Sequence, residues 1–510
     1  MTEPLGAYGS VVEMLEAAAT RAPDHPALVC EQVELTYARY RDCVAALAAD
    51  LARDGIGAGD RVGLLMGNSA QIAVATFGVQ AAGAQVVPLN PAYTESELGP
   101  VLKDADLALL IHDAGLEELA GAAAPKGTRC LIVGPGARDL TQPTGAPPAP
   151  LSLPDPQTLS TLQYTGGTTG AAKGVDLRHA AVAVNVAQRE ALLPTGPDER
   201  VLAITPLFHV YAVAMGLYLA ANCGGTLHIV PKFTAAAVLR DIERHRITFL
   251  SASPTIFQAL LRDPAFAETD LSSLRVCSSG SSALSAEVLH RWEEATGCAI
   301  CEGYGQTEAG PVLTYNALHG PRRAGTVGVP VPATEIEIVD TDTGLVPLAP
   351  GAAGEIRARG PQLMAGYRNR PEETAATLRD GWLYTGDIGR MDDAGHLVIC
   401  DRKKDMVVTA GYNVFPREIE EVLFAMPGVA DAAVVGVADD YRGEMLCAFV
   451  VGAEGDLPEE RIRAHLAERL AKYKWPRDIR CLAALPKTAV GKTDKKELRQ
   501  VASVPPSEPA

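Results

Sequence analysis

The stretch YTGGTTGAAKG, residues 164–174, is dense in glycine and threonine and closes on a lysine. Freed backbone amides at Gly166, Gly167 and Gly170, the hydroxyls of Thr165, Thr168 and Thr169, and the charge of Lys173 make a cradle for a polyphosphate. It is not the Walker loop, which needs G-x-x-x-x-G-K-[ST], because Gly174 follows Lys173. A second candidate, GKT at residues 491–493, fails as well, because Pro486 stands where the upstream glycine belongs. Taken without a ligand, the same stretch is a Gly/Thr turn.

Working outward, residues 62–66 (VGLLM) and 85–89 (QVVPL) read as buried strands around a helix over 69–82. The rhythm returns after Tyr164, with apolar runs starting at Val201, Thr226, Ile247 and Leu274 and helical segments such as AAAVLRDIERHR between them. Short apolar runs separated by helices predict a parallel α/β core, with ligands at the strand ends. Residues 134–156 are rich in Pro and Gly and predict an exposed linker. From Thr326 to about Gly360 the pattern is β-rich.

A third style begins near Asp401. Pro416 suits a first helical turn, Ile419, Val422, Leu423 and Met426 fall on one face, and Pro427–Gly428 ends the helix. Two strands and a further helix follow, so a small α+β domain is expected, with a disordered tail from Val501.

The 510 residues carry 45 Lys+Arg against 62 Asp+Glu, a net charge of −17, which argues against coating nucleic acid or anionic lipid. The amino-terminal residues lack a basic region before an apolar core, so no secretory signal is expected. The most apolar segment, residues 211–223, is too short for a membrane span and reads as a buried helix. Ten cysteines without framework spacing suit a reducing cytoplasm, and the pair Cys298 and Cys301 reads as strand packing.

Four further motifs follow the glycine-rich stretch in order: EGYGQTE at 302–308, YTGD at 384–387, DRKKDM from 401, and PKTAVGK ending at Lys492. In this order and spacing, from about residue 10 to 499, the chain resembles the adenylate-forming superfamily of acyl-CoA synthetases, peptide-synthetase adenylation domains and luciferases. It is most similar to bacterial fatty-acyl-CoA synthetases and 4-coumarate–CoA ligases.

The resemblance implies a large N-terminal domain (1–401) of α/β subdomains plus a β-rich subdomain, and a small mobile α+β C-terminal domain (402–510). It implies a two-step reaction: a carboxylate attacks the α-phosphorus of ATP, giving acyl-AMP and pyrophosphate, and CoA then displaces AMP as a thioester. By resemblance Lys492 bridges the carboxylate and the α-phosphate, Glu308 holds Mg²⁺ and Thr307 contacts the α-phosphate. Tyr304, within the Glu302–Gly303–Tyr304 run, lies against adenine, and Gly280, Ser281 and Ser282 pass beside it. Asp387 accepts from the ribose hydroxyls, with Arg402 on the other side.

His209 gates the pantetheine tunnel in the family, and a core histidine is its alternative. Lys404 is the hinge, and the loop holding Gly411 lines the tunnel after rotation. The acyl pocket is expected among Val210, Tyr211, Met215, Ser278, Gly303, Gly310, Pro311 and Val312, with the glycines leaving room for an aryl or medium-length acid. No basic residue there pairs with a second carboxylate, which disfavours a diacid.

The chain departs from the family at Ala172 and Leu284, where proline is usual, and at Arg178, where threonine is common. A carrier-protein phosphopantetheine is the alternative acceptor. A silent nucleotide-binding protein is the alternative of another class, although Lys492, Glu308 and Asp387 are all present.

Overall fold

The computed structural model describes residues 8–143, 150–165, 172–409, 412–439, 442–453, 457–487 and 493–503. Two compact units divide the chain: Met1–Ile336 with Ala358–Leu383, and Glu337–Arg357 with Tyr384–Ala510.

The first unit holds two large sheets. In the seven-stranded one, the strands Leu159–Thr165, Gln85–Leu89, Arg61–Leu65, Leu109–Asp113 and Cys130–Val133 run parallel as neighbours. Lys173–Arg178 pairs antiparallel beyond Leu159–Thr165, and Gly366–Tyr367 forms the edge. The nine-stranded sheet has a parallel block of Pro26–Cys30, Thr226–Ile229, Arg200–Ala203, Phe249–Ala252, Val276–Ser279 and Ile300–Gly305.

The parallel strands are continuous apolar runs because helices cover both faces. The helix Ala70–Ala81 is buried all round, and its Ser69 cap accepts from the Ile72 amide. The apolar segment weighed as a span forms Val210–Ala212, a π-helical Val213–Tyr218 and Leu219–Cys223, all packed in the core. Among the described residues no helix is long and apolar enough to cross a membrane.

In the second unit, Trp382–Met391 and Leu397–Arg402 form an antiparallel ladder from Asp387 onward. Beyond it, Gly443–Gly452 pairs with Val429–Asp439, Val407–Thr409 and Asp478–Cys481. The helix Pro416–Phe424 packs Ile419 and Leu423 into that core.

Two expectations change. The Pro/Gly-rich linker is not wholly exposed: Leu140 and Leu151 are buried, and the Leu140 amide donates to Gln71 Oε1 at 2.7 Å. Apolar side chains within a turn-rich stretch still find the core. At the carboxyl end, the helix Lys495–Ala502 includes Val501 and buries Ala502, so the tail begins later than expected. Residues 504–510 lie outside the described residues.

Candidate active site

The glycine-rich stretch is the connection of an antiparallel hairpin. Leu159–Thr165 and Lys173–Arg178 pair down to Thr165 opposite Lys173. Gly166, Gly167, Thr168, Thr169 and Gly170 lie outside the described residues. The far side of Lys173–Arg178 carries Gly366–Tyr367, registered on Asp176 and Val175. That pairing brings the Tyr367 ring under Lys173, whose Nζ lies 5.1 Å from the ring centroid. The Tyr367 hydroxyl donates to Glu308 Oε1 at 2.8 Å. Burial and the Glu308 charge push the Tyr367 phenol well above its ordinary range, so it stays a donor.

Hairpin and candidate metal carboxylate thus belong to one assembly. Lys173 itself is not held free for phosphate: its Nζ sits 2.5 Å from Glu373 Oε2. Glu308 accepts from a neutral phenol and its charge is met by no ion pair among the described residues. There, no group of three His, Cys, Asp or Glu forms a metal cage. A single open carboxylate fits Mg²⁺, which keeps waters and substrate phosphates as its other ligands.

Glu308 and Thr307 stand on the one-turn helix Thr307–Ala309, which follows the strand Ile300–Gly305. Along that strand, Tyr304 pairs with Thr314 and Gly303 with Tyr315. Gly305 is required by close approach, since a Cβ there would lie 1.8 Å from the Pro311 carbonyl oxygen. The candidate adenine loop leaves the strand Val276–Ser279, and Ser281 adopts φ +70°. Glu302 acts on this loop from within: it is buried, and its Oε1 accepts from the Leu284 amide at 3.0 Å. A proline at position 284 could not make that bond, so this departure from the family pattern has a local structural use.

In the expected acyl pocket the chain's own hydroxyls are hydrogen-bonded to one another. Tyr211 and Ser278 hydroxyls are 2.8 Å apart, and Ser278 also hydrogen-bonds the Tyr315 hydroxyl. Gly303 and Gly310 are each closely approached by other atoms of the chain. A Cβ on Gly303 would meet Tyr315 Cε2 at 2.4 Å, and one on Gly310 would meet the Gln362 carbonyl oxygen at 2.9 Å. Met215 and Val312 are buried beside them. His209 caps the turn Val210–Ala212, its Nδ1 accepting from the Tyr211 amide at 3.3 Å, and Pro311 follows Gly310.

In the second unit, Asp387 and Arg402 are cross-strand partners, with Arg402 Nε 3.6 Å from Asp387 Oδ1. Asp387 is buried and Arg402 exposed, a buried carboxylate beside a solvent-facing cation. Lys404 follows in a turn. Burial, together with the Arg402 charge, pulls its ammonium down to about 8. Gly411 and Lys492 lie outside the described residues.

Two lysines that flank position 492 in the sequence, Lys487 and Lys495, are engaged structurally. Lys487 Nζ contacts Asp431 Oδ2 at 2.7 Å, and Lys495 Nζ contacts Glu420 Oε1 at 2.8 Å. Glu420 also accepts from the Val434 amide at 2.8 Å. Removing Lys495 leaves that interior carboxylate without its cation. Lys495→Met is therefore expected to lower stability by about 3 kcal/mol in a urea titration of the full chain, with Lys495→Arg recovering most of it.

Comparison with known proteins agrees with this geometry. The family model described as AMP-binding enzyme matches residues 15–368, and the AMP-binding enzyme C-terminal domain matches 418–492. The chain belongs to the AMP-binding enzyme family. Among relatives of this AMP-binding enzyme, a long-chain-fatty-acid–CoA ligase of Bacillus subtilis (strain 168) is 38% identical, covering 95% of this chain and 93% of the relative. The 3-[(3aS,4S,7aS)-7a-methyl-1,5-dioxo-octahydro-1H-inden-4-yl]propanoyl:CoA ligase of Mycobacterium tuberculosis (strain H37Rv) is 37% identical over 96% of this chain and 99% of its own. ATP-bound MatB from Rhodopseudomonas palustris superposes with a TM-score of 0.89 at 31% identity, covering 96% and 99% of the two chains.

Within the first unit of this AMP-binding enzyme, the fold gathers the hairpin flanks, Lys173 and Glu308. In the second it pairs Asp387 with Arg402. Sequence reasoning missed Tyr367 and Glu373, which lie between the quoted motifs. The only sequence signal for them is a tyrosine in GYRNRPEE, unreadable without the strand register that carries it to the hairpin.

Proposed function

We propose that this AMP-binding enzyme is an ATP-dependent acyl-CoA ligase that forms an acyl-adenylate and then a CoA thioester. The observation that carries the reading is the Tyr367 bridge, which joins Glu308 to the phosphate hairpin. In the first step a carboxylate oxygen bonds to the α-phosphorus and pyrophosphate leaves. In the second the CoA thiol loses its proton, bonds to the acyl carbon and displaces AMP.

The charge developing between two anions calls for fixed positive charge, the role given to Lys492. Glu308 holds Mg²⁺, which neutralises phosphate charge when bound, and Thr307 contacts the α-phosphate. The hairpin of Thr165, Gly166, Gly167, Thr168, Thr169 and Gly170 wraps the phosphates. Tyr304 and the loop Gly280–Ser281–Ser282 take the adenine, with Glu302 supporting that loop. Asp387 and Arg402 take the ribose.

His209 and Gly411 serve the pantetheine arm, and the segment beyond 401 rotates about Lys404 between the two steps. The acid is aliphatic or aryl, in keeping with a relative named for long-chain fatty acids and another for a bicyclic propanoate. Ten free cysteines suit a reducing compartment such as the cytoplasm.

The test is pyrophosphate release with ATP and Mg²⁺ over a panel of fatty, benzoic and cinnamic acids, with and without CoA, and mass detection of the thioester. Release with a CoA-dependent product supports the ligase; adenylate without thioester moves the acceptor to a carrier protein; no release with ATP still bound makes the site silent. Glu308→Gln is expected to raise the Mg²⁺ concentration at half-maximal pyrophosphate release about tenfold, because the open carboxylate is lost while the Tyr367 bond keeps an acceptor. An unchanged Mg²⁺ dependence would remove Glu308 from metal binding.

A further inference from the structure

The phosphate hairpin and the strand that reaches Glu308 are both tied to one side chain outside every quoted motif. Asp104 is the penultimate residue of the helix Glu95–Ala105. Its Oδ2 accepts from the Tyr164 hydroxyl at 2.6 Å, across 60 residues of sequence. Its Oδ1 accepts from Asn369 Nδ2 at 3.3 Å, and its main-chain carbonyl accepts from Arg368 Nε at 2.8 Å. Tyr164 belongs to the strand on one side of Lys173–Arg178, and Arg368 follows the strand on the other. Asp104 therefore holds both neighbours of the strand that begins with Lys173.

These contacts fall where the hairpin opens. Tyr164 pairs with Gly174, one step before Thr165 opposite Lys173. Its ring lies across Gly174, where a Cβ would meet Tyr164 Cζ at 3.1 Å. From the other side, the Arg368 amide donates to the Gly174 carbonyl at 2.8 Å. Arg368 also follows Tyr367, whose hydroxyl donates to Glu308. Gly366–Tyr367 is only two residues long, too short a ladder to hold its own position. It ends in a turn in which the Arg370 amide donates to the Tyr367 carbonyl at 3.2 Å and Asn369 takes φ +55°, a left-handed conformation open to asparagine. Asp104 fixes that turn from outside.

Packing alone seats the Tyr164 ring, which shares an apolar cluster with Leu98 and Leu102 of the same helix as Asp104. The hydroxyl bond adds direction. Burial and the Asp104 charge push the phenol well above its ordinary range, so it stays a donor. A buried donor on a carboxylate belongs to the stronger class of hydrogen bond.

We propose that Asp104 is a positioning residue that keeps the mouth of the phosphate hairpin in register with the Tyr367–Glu308 pair, so that the phosphates and their Mg²⁺ meet one preformed site. Without it the two parts must be aligned at the moment of binding, and that ordering costs affinity. The proposal rests on the ligase reading and adds to it a residue that sets nucleotide affinity from outside the motifs.

Calorimetric titration of the full chain with ATP and Mg²⁺, in the absence of acid, tests it apart from turnover. Asp104→Ala is expected to bind ATP and Mg²⁺ about tenfold more weakly, and Asp104→Asn, which keeps an acceptor for the phenol, within about threefold of the parent. Tyr164→Phe removes the same bond from its other end and is expected to lose about fivefold, with the double variant no weaker than Asp104→Ala alone. With the favoured acid, KM for ATP rises in step while thioester formation from supplied acyl-adenylate is unchanged, a split that a general loss of stability would not give. Should Asp104→Ala fail to fold, Tyr164→Phe decides. Unchanged affinity in either folded variant, losses that add in the double variant, or equal loss in both half-reactions overturn the proposal. A parent chain that binds ATP but releases pyrophosphate with no acid overturns the ligase reading instead, and the affinity comparison still decides the role of Asp104.

Discussion

Lys492→Ala abolishes most of the first half-reaction and spares the second. With the favoured acid, ATP and Mg²⁺, pyrophosphate release is expected to fall about 10³-fold, while thioester formation from supplied acyl-adenylate stays within a few fold of the parent. The size follows from losing one fixed charge at the point where two anions meet, a loss typically of 10²–10³ in rate. The substitution is clean because the neighbouring Lys487 and Lys495 do other work. Lys487 and Thr493 bridge on either side of the segment, Lys487 pairs with Asp431, and Lys495 pairs with Glu420. Alanine at 492 therefore removes a charge without disturbing those pairs. Equal loss in both half-reactions, or unchanged pyrophosphate release, would take Lys492 out of the adenylation step.

The converse is expected of Lys404→Pro: adenylation within a few fold of the parent, and thioester formation from acyl-adenylate slowed about 10²-fold. A hinge concentrates a large dihedral change in a few residues, and proline fixes φ near −65°. The Asp405 and Met406 amides both donate to the Arg402 carbonyl, and among the described residues the Lys404 amide donates to no backbone carbonyl. The loss of an ammonium that burial already disfavours adds no penalty of its own. Single-turnover rates for each half-reaction separate the outcomes, and parallel loss in both would assign Lys404 to stability instead of rotation.

The parallel core was legible because strands buried on both faces are written as continuous apolar runs, as at Gln85–Leu89, which the structure reproduces residue for residue. The capped helix after Ser69 was legible for the same local reason. The candidate site was legible only where a motif is contiguous. Tyr367 reaches Glu308 through a two-residue edge strand, and Glu373 reaches Lys173 from the helix Pro371–Thr377; both depend on pairings between distant segments.

Gly303 misled because a glycine reports a missing side chain and not what fills the gap. That is decided by Tyr315 across the ladder. Lys495 belongs to no quoted motif, and its role shows only when Glu420, from a helix far back in the sequence, is seen against it.

The Gly303–Tyr315 pairing has a consequence for how selectivity can change. The ring of Tyr315 lies where a β-carbon on Gly303 would be, and its hydroxyl is tied to Ser278 and through it to Tyr211. The space beside Gly303 is filled by an aromatic side chain and not by the course of the main chain. A lineage could widen it by exchanging one side chain, with the ladder and the turn bearing Glu308 left in place, so acid preference can drift while the adenylating apparatus stays as it is.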